Sequence, residues 1–383
     1  MRLPHCDEIH HWMFTSALPW WGANGLDRAH GGYVEQMTME GKDAAAPFKR
    51  TRVTARQIYA FSHGKILGFE DGEKLARHGF EFLTGKSWNG PDKGFARKLT
   101  REGGPLDPTP DLYDHAFCLF AFAWFYRATK DLSARDWMHR TLDFIELKMR
   151  APHREGFLHE LPAKGFRQQN PHMHLTEASL ACFEATGEAR FSTLARELID
   201  LFSTRFFDLS SQTLAEYFTD DLKRAPGDEG RIVEPGHQFE WAWILNSARK
   251  TLGLDVASQI RALFRFAESR GVDAAGATVN QLRDDGAVLD GGSRTWPNCE
   301  RIKAAIALWE LDGVDPATPV RSAAGLLLDR YLAHHPSGTW IDAFDDKGAP
   351  TVSTVPASTL YHVFLAFSEV VRVSGAPQRP GKA

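Results

Sequence analysis

Long hydrophobic runs are missing from these 383 residues. No apolar stretch approaches the ~20 residues that a membrane-spanning helix needs, so the chain is expected to be soluble. Cysteine is scarce. Cys6, Cys118, Cys182 and Cys299 are scattered with no CxxC spacing, which excludes a zinc knuckle and a disulfide-stapled scaffold. The N-terminal MRLPHCDEIHHW has no apolar signal core, and together these absences point to free thiols in a reducing cytoplasm. Charge of one sign is not in excess either. The net charge is -4, the isoelectric point is near 6.5, and Lys and Arg are dispersed, so no nucleic-acid partner is expected. Aromatic residues, by contrast, are abundant. Eleven Trp and 26 Phe suit a large helical core or the stacking of sugar rings on indoles.

Hydrophobic periodicity resolves the chain into alternating helices of two kinds. Segments 51–68, 111–130, 172–187, 236–252, 298–312 and 357–373 are apolar nearly all round, the pattern of helices buried on every side. Segments 6–22, 72–87, 133–149, 190–206, 255–270 and 316–333 carry one apolar stripe and one wet face. The apolar helices recur roughly every 60 residues, the length of a helical hairpin with a long connection. Pro110, Pro171, Pro235, Pro297 and Pro356 stand at or near their starts, where a missing N–H costs little. Short strand signals (GFLHEL, TLAEYF, ATVNQL, GTWIDAF) occupy only the long outer-to-inner connections. The pattern predicts an all-α (α/α)6 barrel: one toroid of six helical hairpins over residues 1–374, short β-hairpins on one rim, and a disordered tail at 375–383. An open solenoid would need polar capping faces, and the last inner helix, with Tyr361, Val363, Phe364, Leu365 and Phe367, lacks one.

Ionisable residues concentrate where core helices should avoid them, at the starts of the inner helices. They are Arg52 and Arg56; Tyr113, Asp114 and His115; His172, His174 and Glu177; His237 and Glu240; Glu300; and Tyr361 with His362. In a closed barrel these would line one funnel at the positive ends of the helices, a setting that favours a developing oxyanion and a neutral imidazole base. Bland readings exist for each. His237 and Glu300 sit at helix starts, Tyr113, Asp114 and His115 suit caps and packing, and His174 with Glu177 makes a polar pair at i, i+3. His172 and His174 form an HxH, but residues two apart on a helix face different ways, so no metal site is expected. Asp107, Asp111 and Asp114 leave a glycosidase open, since that chemistry needs two carboxylates flanking the bond.

The segments TARQIYAFS, LYDHAF, NPHMHLTEA, EPGHQFEWAWIL, WPNCERIKAAIAL and the closing YH together resemble the N-acylglucosamine 2-epimerase superfamily, over about residues 10–372. MHLTEA with PGHQFEW is most similar to its mannose isomerase and sulfoquinovose isomerase branch. The resemblance implies an (α/α)6 barrel that needs neither metal nor cofactor and acts on a monosaccharide, by aldose–ketose isomerisation or by 2-epimerisation. It places the acid/base histidines at His237 and His362, the sugar-binding arginine at Arg56, a third histidine at His174, and carboxylates at Glu240 and Glu300. Arg52, Tyr113 and Trp296 are expected among the substrate contacts. No glycine-rich nucleotide loop and no sulfonate-binding signature accompany these residues, which leaves a neutral hexose. The expected reaction is D-mannose to D-fructose through a cis-enediol, in a monomer or homodimer. His362 would carry the C2 proton to C1 and His237 would open the ring. Glu240 would hold His237, Glu300 would bind a hydroxyl, and Arg56 with His174 would face O1 and O2.

Overall fold

The computed structural model describes residues 1–152 and 155–375. Thirteen α-helices, numbered along the chain, are found among them. The outer layer is α1 (Cys6–His11) with α2 (Leu18–Asn24), α4 (Gly72–Phe82), α6 (Leu132–Phe144), α8 (Ala189–Leu201), α10 (Ala257–Arg270) and α12 (Ala317–Leu326). The inner layer is α3 (Thr51–Ile66), α5 (Leu112–Thr129), α7 (Gln169–Thr186), α9 (Pro235–Leu252), α11 (Thr295–Asp312) and α13 (Leu360–Ser374). Each inner helix packs against the next, and α13 returns to α3, so the ring is closed. The predicted (α/α)6 toroid is the observed architecture. From residue 376 the expected disordered tail lies outside the described residues.

Burial explains the two layers. In α5, Leu112 and every residue from Asp114 to Ala123 are buried, so this helix offers no wet face and fits only inside the ring. In α4 burial is confined to one stripe, including Leu75, Ala76, Gly79 and Phe80. Inner helices hand over to outer ones in tight turns. Gly187, Gly253 and Gly313 follow α7, α9 and α11 with φ of 72°, 69° and 72°, a left-handed conformation that a side chain would strain.

The long connections gather at the other rim and carry the short strands. Gln36–Thr38 pairs antiparallel with Thr354–Pro356, with Met37 opposite Val355, so the first and last long loops also close the ring. Leu3 N donates to Ser374 Oγ at 3.0 Å, which fastens the N-terminal segment to the last helix. Two inner helices begin earlier than periodicity predicts, at Gln169 and Thr295, because Pro171 and Pro297 are tolerated within a first turn. The GFLHEL segment forms only isolated bridges, Arg150 with Phe157 and Asp111 with Glu160. No helix among the described residues is long and apolar enough to cross a membrane.

Candidate active site

The opening turns of α7, α9, α11 and α13 and of α3 and α5 bring most of the sequence-predicted residues together at one end of the ring, among them Arg56, Tyr113, His174, His237, Trp296 and His362. Pro235 opens α9, and His237 follows in its first turn. The His237 Nδ1–H reaches both carboxylate oxygens of Glu216 at 3.0 Å, with Glu234 at 3.7 Å. Glu216 is 6% exposed. It lies in the TLAEYF connection, held by Gln169 Nε2 at 2.9 Å. Burial opposes charge on His237, but Glu216 and Glu234 outweigh it and push the imidazole up to about 9.

His362, in the first turn of α13, meets Glu300 instead: Nδ1 lies 2.8 Å from Oε1. The other Glu300 oxygen lies 2.5 Å from Lys303 Nζ, and both side chains are fully buried. Here burial and the cations Arg56 and Lys303 act in the same direction, and hold His362 well below its usual value. The two imidazoles are thus poised oppositely, one for the charged form and one for the neutral form. Trp296 packs against both, its ring centroid 5.0 Å from His237 and 5.5 Å from His362. The approach of Trp296 to α9 requires glycine at 236, because a Cβ there would lie 2.5 Å from the indole.

The opposite wall is built from α3, α5 and α7. Arg56 is 7% exposed and sits against Phe117 at 4.2 Å, Tyr361 at 5.1 Å and Tyr113 at 5.6 Å. Its Nη2 donates to the Tyr113 hydroxyl at 2.6 Å, while its buried Nε has no partner among the described residues. His174 meets Glu177 at 3.2 Å, and Glu177 also accepts from the Tyr361 hydroxyl at 2.7 and 2.8 Å. Arg52 is engaged by Asp114 at 2.9 Å and lies over Tyr113 at the rim.

Two expected roles are corrected. Glu240 does not hold His237; that position belongs to Glu216 and Glu234. Glu240 is 1% exposed, and both of its carboxylate oxygens lack partners among the described residues, so they are free to receive hydroxyls. Glu300, expected at a hydroxyl, is committed to His362 and Lys303. Sequence reasoning missed Glu216, Glu234 and Lys303. For Lys303 a signal existed: a lysine at i+3 from Glu300 inside an otherwise apolar helix.

Two further histidines at helix starts prove to be fastenings. His115 Nδ1 donates to the Asp111 carbonyl at 2.7 Å, and its Nε2 accepts from Phe95 N–H at 3.0 Å. His172 repeats the arrangement with the Gln168 carbonyl and Phe157 N–H. Asn298 performs the same service on α11, its Oδ1 accepting from Thr278 N–H at 2.9 Å. The HxH is therefore split between a fastening and the funnel. Cation-ligating geometry arises elsewhere. His174, Glu177 and Glu240, and likewise Glu240, Glu300 and His362, each bring three donor atoms within 4.8 Å of one another, a convergence across helices that spacing along the chain does not reveal. Lys303 already supplies positive charge to this cluster. The glycosidase aspartates are occupied: Asp107 and Asp111 face Arg97, and Asp114 faces Arg52.

Comparison with known proteins follows the same lines. The profile of the family described as N-acylglucosamine 2-epimerase (GlcNAc 2-epimerase) matches residues 31–366. The chain is 34% identical over 376 residues to a protein of Rhizobium meliloti (strain 1021) named mannose-6-phosphate isomerase, covering 95% of this chain and 96% of that one. Among solved structures, cellobiose 2-epimerase from Bacillus thermoamylovorans B4167 superposes with a TM-score of 0.87 at 20% identity, covering 96% of this chain and 99% of that one. A D-mannose isomerase superposes with a TM-score of 0.85 at 21% identity, covering 96% of each chain.

Proposed function

The chain belongs to the N-acylglucosamine 2-epimerase family, and from that premise and the geometry of the funnel we propose that it is a sugar aldose–ketose isomerase interconverting D-mannose and D-fructose through a cis-enediol. The observation that carries the reading is the pair of oppositely poised imidazoles that both pack against Trp296. An imidazolium at His237 is an acid for the ring oxygen of the closed sugar, and an uncharged His362 is a base for the C2 proton of the opened one. The C2–H electron pair forms the C1–C2 double bond while O1 gains a proton. Loss of the O2 proton then gives the ketone, and the C2 proton is returned to C1. In this reading Arg56 and His174 stabilise the oxygens on which negative charge develops. The unpartnered Glu240 carboxylate and the half-buried Trp296 complete the substrate contacts, with Tyr113 bonded to Arg56 and Arg52 lying over Tyr113.

A 2-epimerase is the second reading, favoured by the presence of two imidazoles beside one indole, because epimerisation removes a proton from one face and returns one to the other. Incubation with D-mannose and, separately, with D-mannose 6-phosphate distinguishes the outcomes by product. The expected product is fructose from mannose. Glucose without fructose would establish the epimerase. Turnover of the phosphate ester alone would replace the neutral hexose as substrate.

A further inference from the structure

Lys303 is completely buried in an inner helix, a situation that lysine rarely occupies unpaired. It lies one turn beyond Glu300 on the same face of α11. Its Nζ stands 2.5 Å from Glu300 Oε2 and 4.3 Å from the centre of the Trp243 ring. Glu300 in turn contacts His362 Nδ1, and His362 Nε2 has no protein partner among the described residues. The geometry is therefore a relay of three groups, ammonium to carboxylate to imidazole.

The middle group has two states with opposite consequences for the third. As a carboxylate, Glu300 accepts from Nδ1–H, which leaves an unprotonated Nε2, a base. As a carboxylic acid it would donate to Nδ1, which places the proton on Nε2 and removes the base. The surroundings favour the wrong state. Burial raises the Glu300 carboxyl, and Glu240 and Glu177 raise it further, while Lys303 pulls it down. The other ionisable groups facing the relay are Arg56 from α3, His174 from α7, His237 from α9 and Tyr361 from α13, together with the buried Cys299 thiol. None of these touches the Glu300 carboxylate as Lys303 does. Glu300, Glu240 and Glu177 in turn raise Lys303 against the effect of burial, so the ammonium keeps its proton at this contact, and its charge 2.5 Å away favours the carboxylate.

We propose that Lys303 is a positioning residue of the proton-transfer site: its ammonium keeps Glu300 ionised, and Glu300 thereby fixes His362 in the Nδ1–H tautomer with an open Nε2. The inference builds on the reading of His362 as the base, and its test is independent of turnover. Imidazole ¹⁵N shifts of the full chain, labelled at histidine and assigned with His362→Asn, report which nitrogen carries the proton. At pH 7 the unaltered protein is expected to show protonated Nδ1 and bare Nε2 at His362. The reverse pattern would overturn the proposal without any variant. In Lys303→Met, which keeps the apolar stem, the tautomer is expected to invert. Aldose turnover at pH 7 should then fall by about 10²-fold and recover as rising pH ionises Glu300. An unchanged tautomer in a folded Lys303→Met protein, or a loss uniform in pH, would reduce Lys303 to a structural ion pair. If the unaltered protein shows the expected tautomer yet turns over no aldose, the isomerase reading falls and the relay stands.

Discussion

Replacing Glu216 with Gln tests the acid side of the site. The substitution keeps the shape of the side chain and its contact with Gln169 but removes the charge nearest His237. With Glu216 present the imidazole is raised from 6.5 to about 9, a difference of about 3 kcal/mol at ~1.4 kcal/mol per pH unit. At pH 7.5 an imidazole of pKa 9 is about 97% protonated, whereas one of pKa 6.5 is about 9% protonated. Burial, which opposes the charged imidazole, remains together with Glu234 and Glu240, so the variant's imidazole falls from about 9 toward or below its ordinary value. The acid that opens the sugar ring is then depleted at neutral pH, and the alkaline limb of kcat/KM for cyclic mannose moves down from near pH 9. Stability must follow the same sign. A group raised on folding contributes fully below its unfolded pKa of about 6.5 and loses that contribution as pH rises through about 9. The difference in melting temperature between parent and variant is therefore largest near pH 6 and shrinks toward pH 9.5. If the alkaline limb and the stability difference both stay fixed across that range, His237 is not the acid that its carboxylates make it.

Three further outcomes are expected. In D2O, His362→Asn should abolish deuterium incorporation at fructose C1, while His237→Asn should retain it with pre-opened substrate; full C1 exchange in the His362 variant would exchange the two roles. Gly236→Ala places a Cβ 2.5 Å from the Trp296 indole, and overpacking of this kind costs about 1–3 kcal/mol, so the melting temperature should fall and the KM for mannose should rise together; a change in neither would mean that the indole has room to move. Exhaustive EDTA dialysis should leave turnover intact, and a loss restored by a divalent ion would assign a metal to the Glu240 donor cluster.

The fold was legible because its signal is long and repeated. The all-round burial of α5 and the single stripe of α4 are properties of whole helices, and the recurrence of inner helices places them in one ring. The rim was less legible. GFLHEL has the alternation of a strand but forms only two bridges, because a short connection takes its shape from the helix ends that it spans. His115 and His172 stand at helix starts in the sequence just as His237 does, and their neighbours along the chain do not distinguish a fastening from an acid. What separates them is contact across the sequence. His115 meets Phe95 N–H and His172 meets Phe157 N–H, which occupies the nitrogen that would otherwise face a substrate.

The misassignment of Glu240 has a geometric origin. Helical side chains lean toward the N-terminus, so a histidine in a first turn reaches back past the end of its own helix and not forward along it. His237 therefore meets Glu234, which precedes α9, and Glu216, which arrives from the preceding connection. By the same lean, Glu240, one turn deeper, comes among Glu177 and His174 on one side of the cluster and Glu300 and His362 on the other. Spacing at i, i+3 placed two groups on one face of α9 but left open which direction each would point. The same rule assigns His362, also in a first turn, to a partner outside its own helix, and Glu300 of α11 is that partner. Both imidazoles are thus set by carboxylates from neighbouring elements. Their opposite poise then follows from the wider surroundings: at His237 Glu216 and Glu234 outweigh burial, whereas at His362 burial, Arg56 and Lys303 all favour the neutral ring.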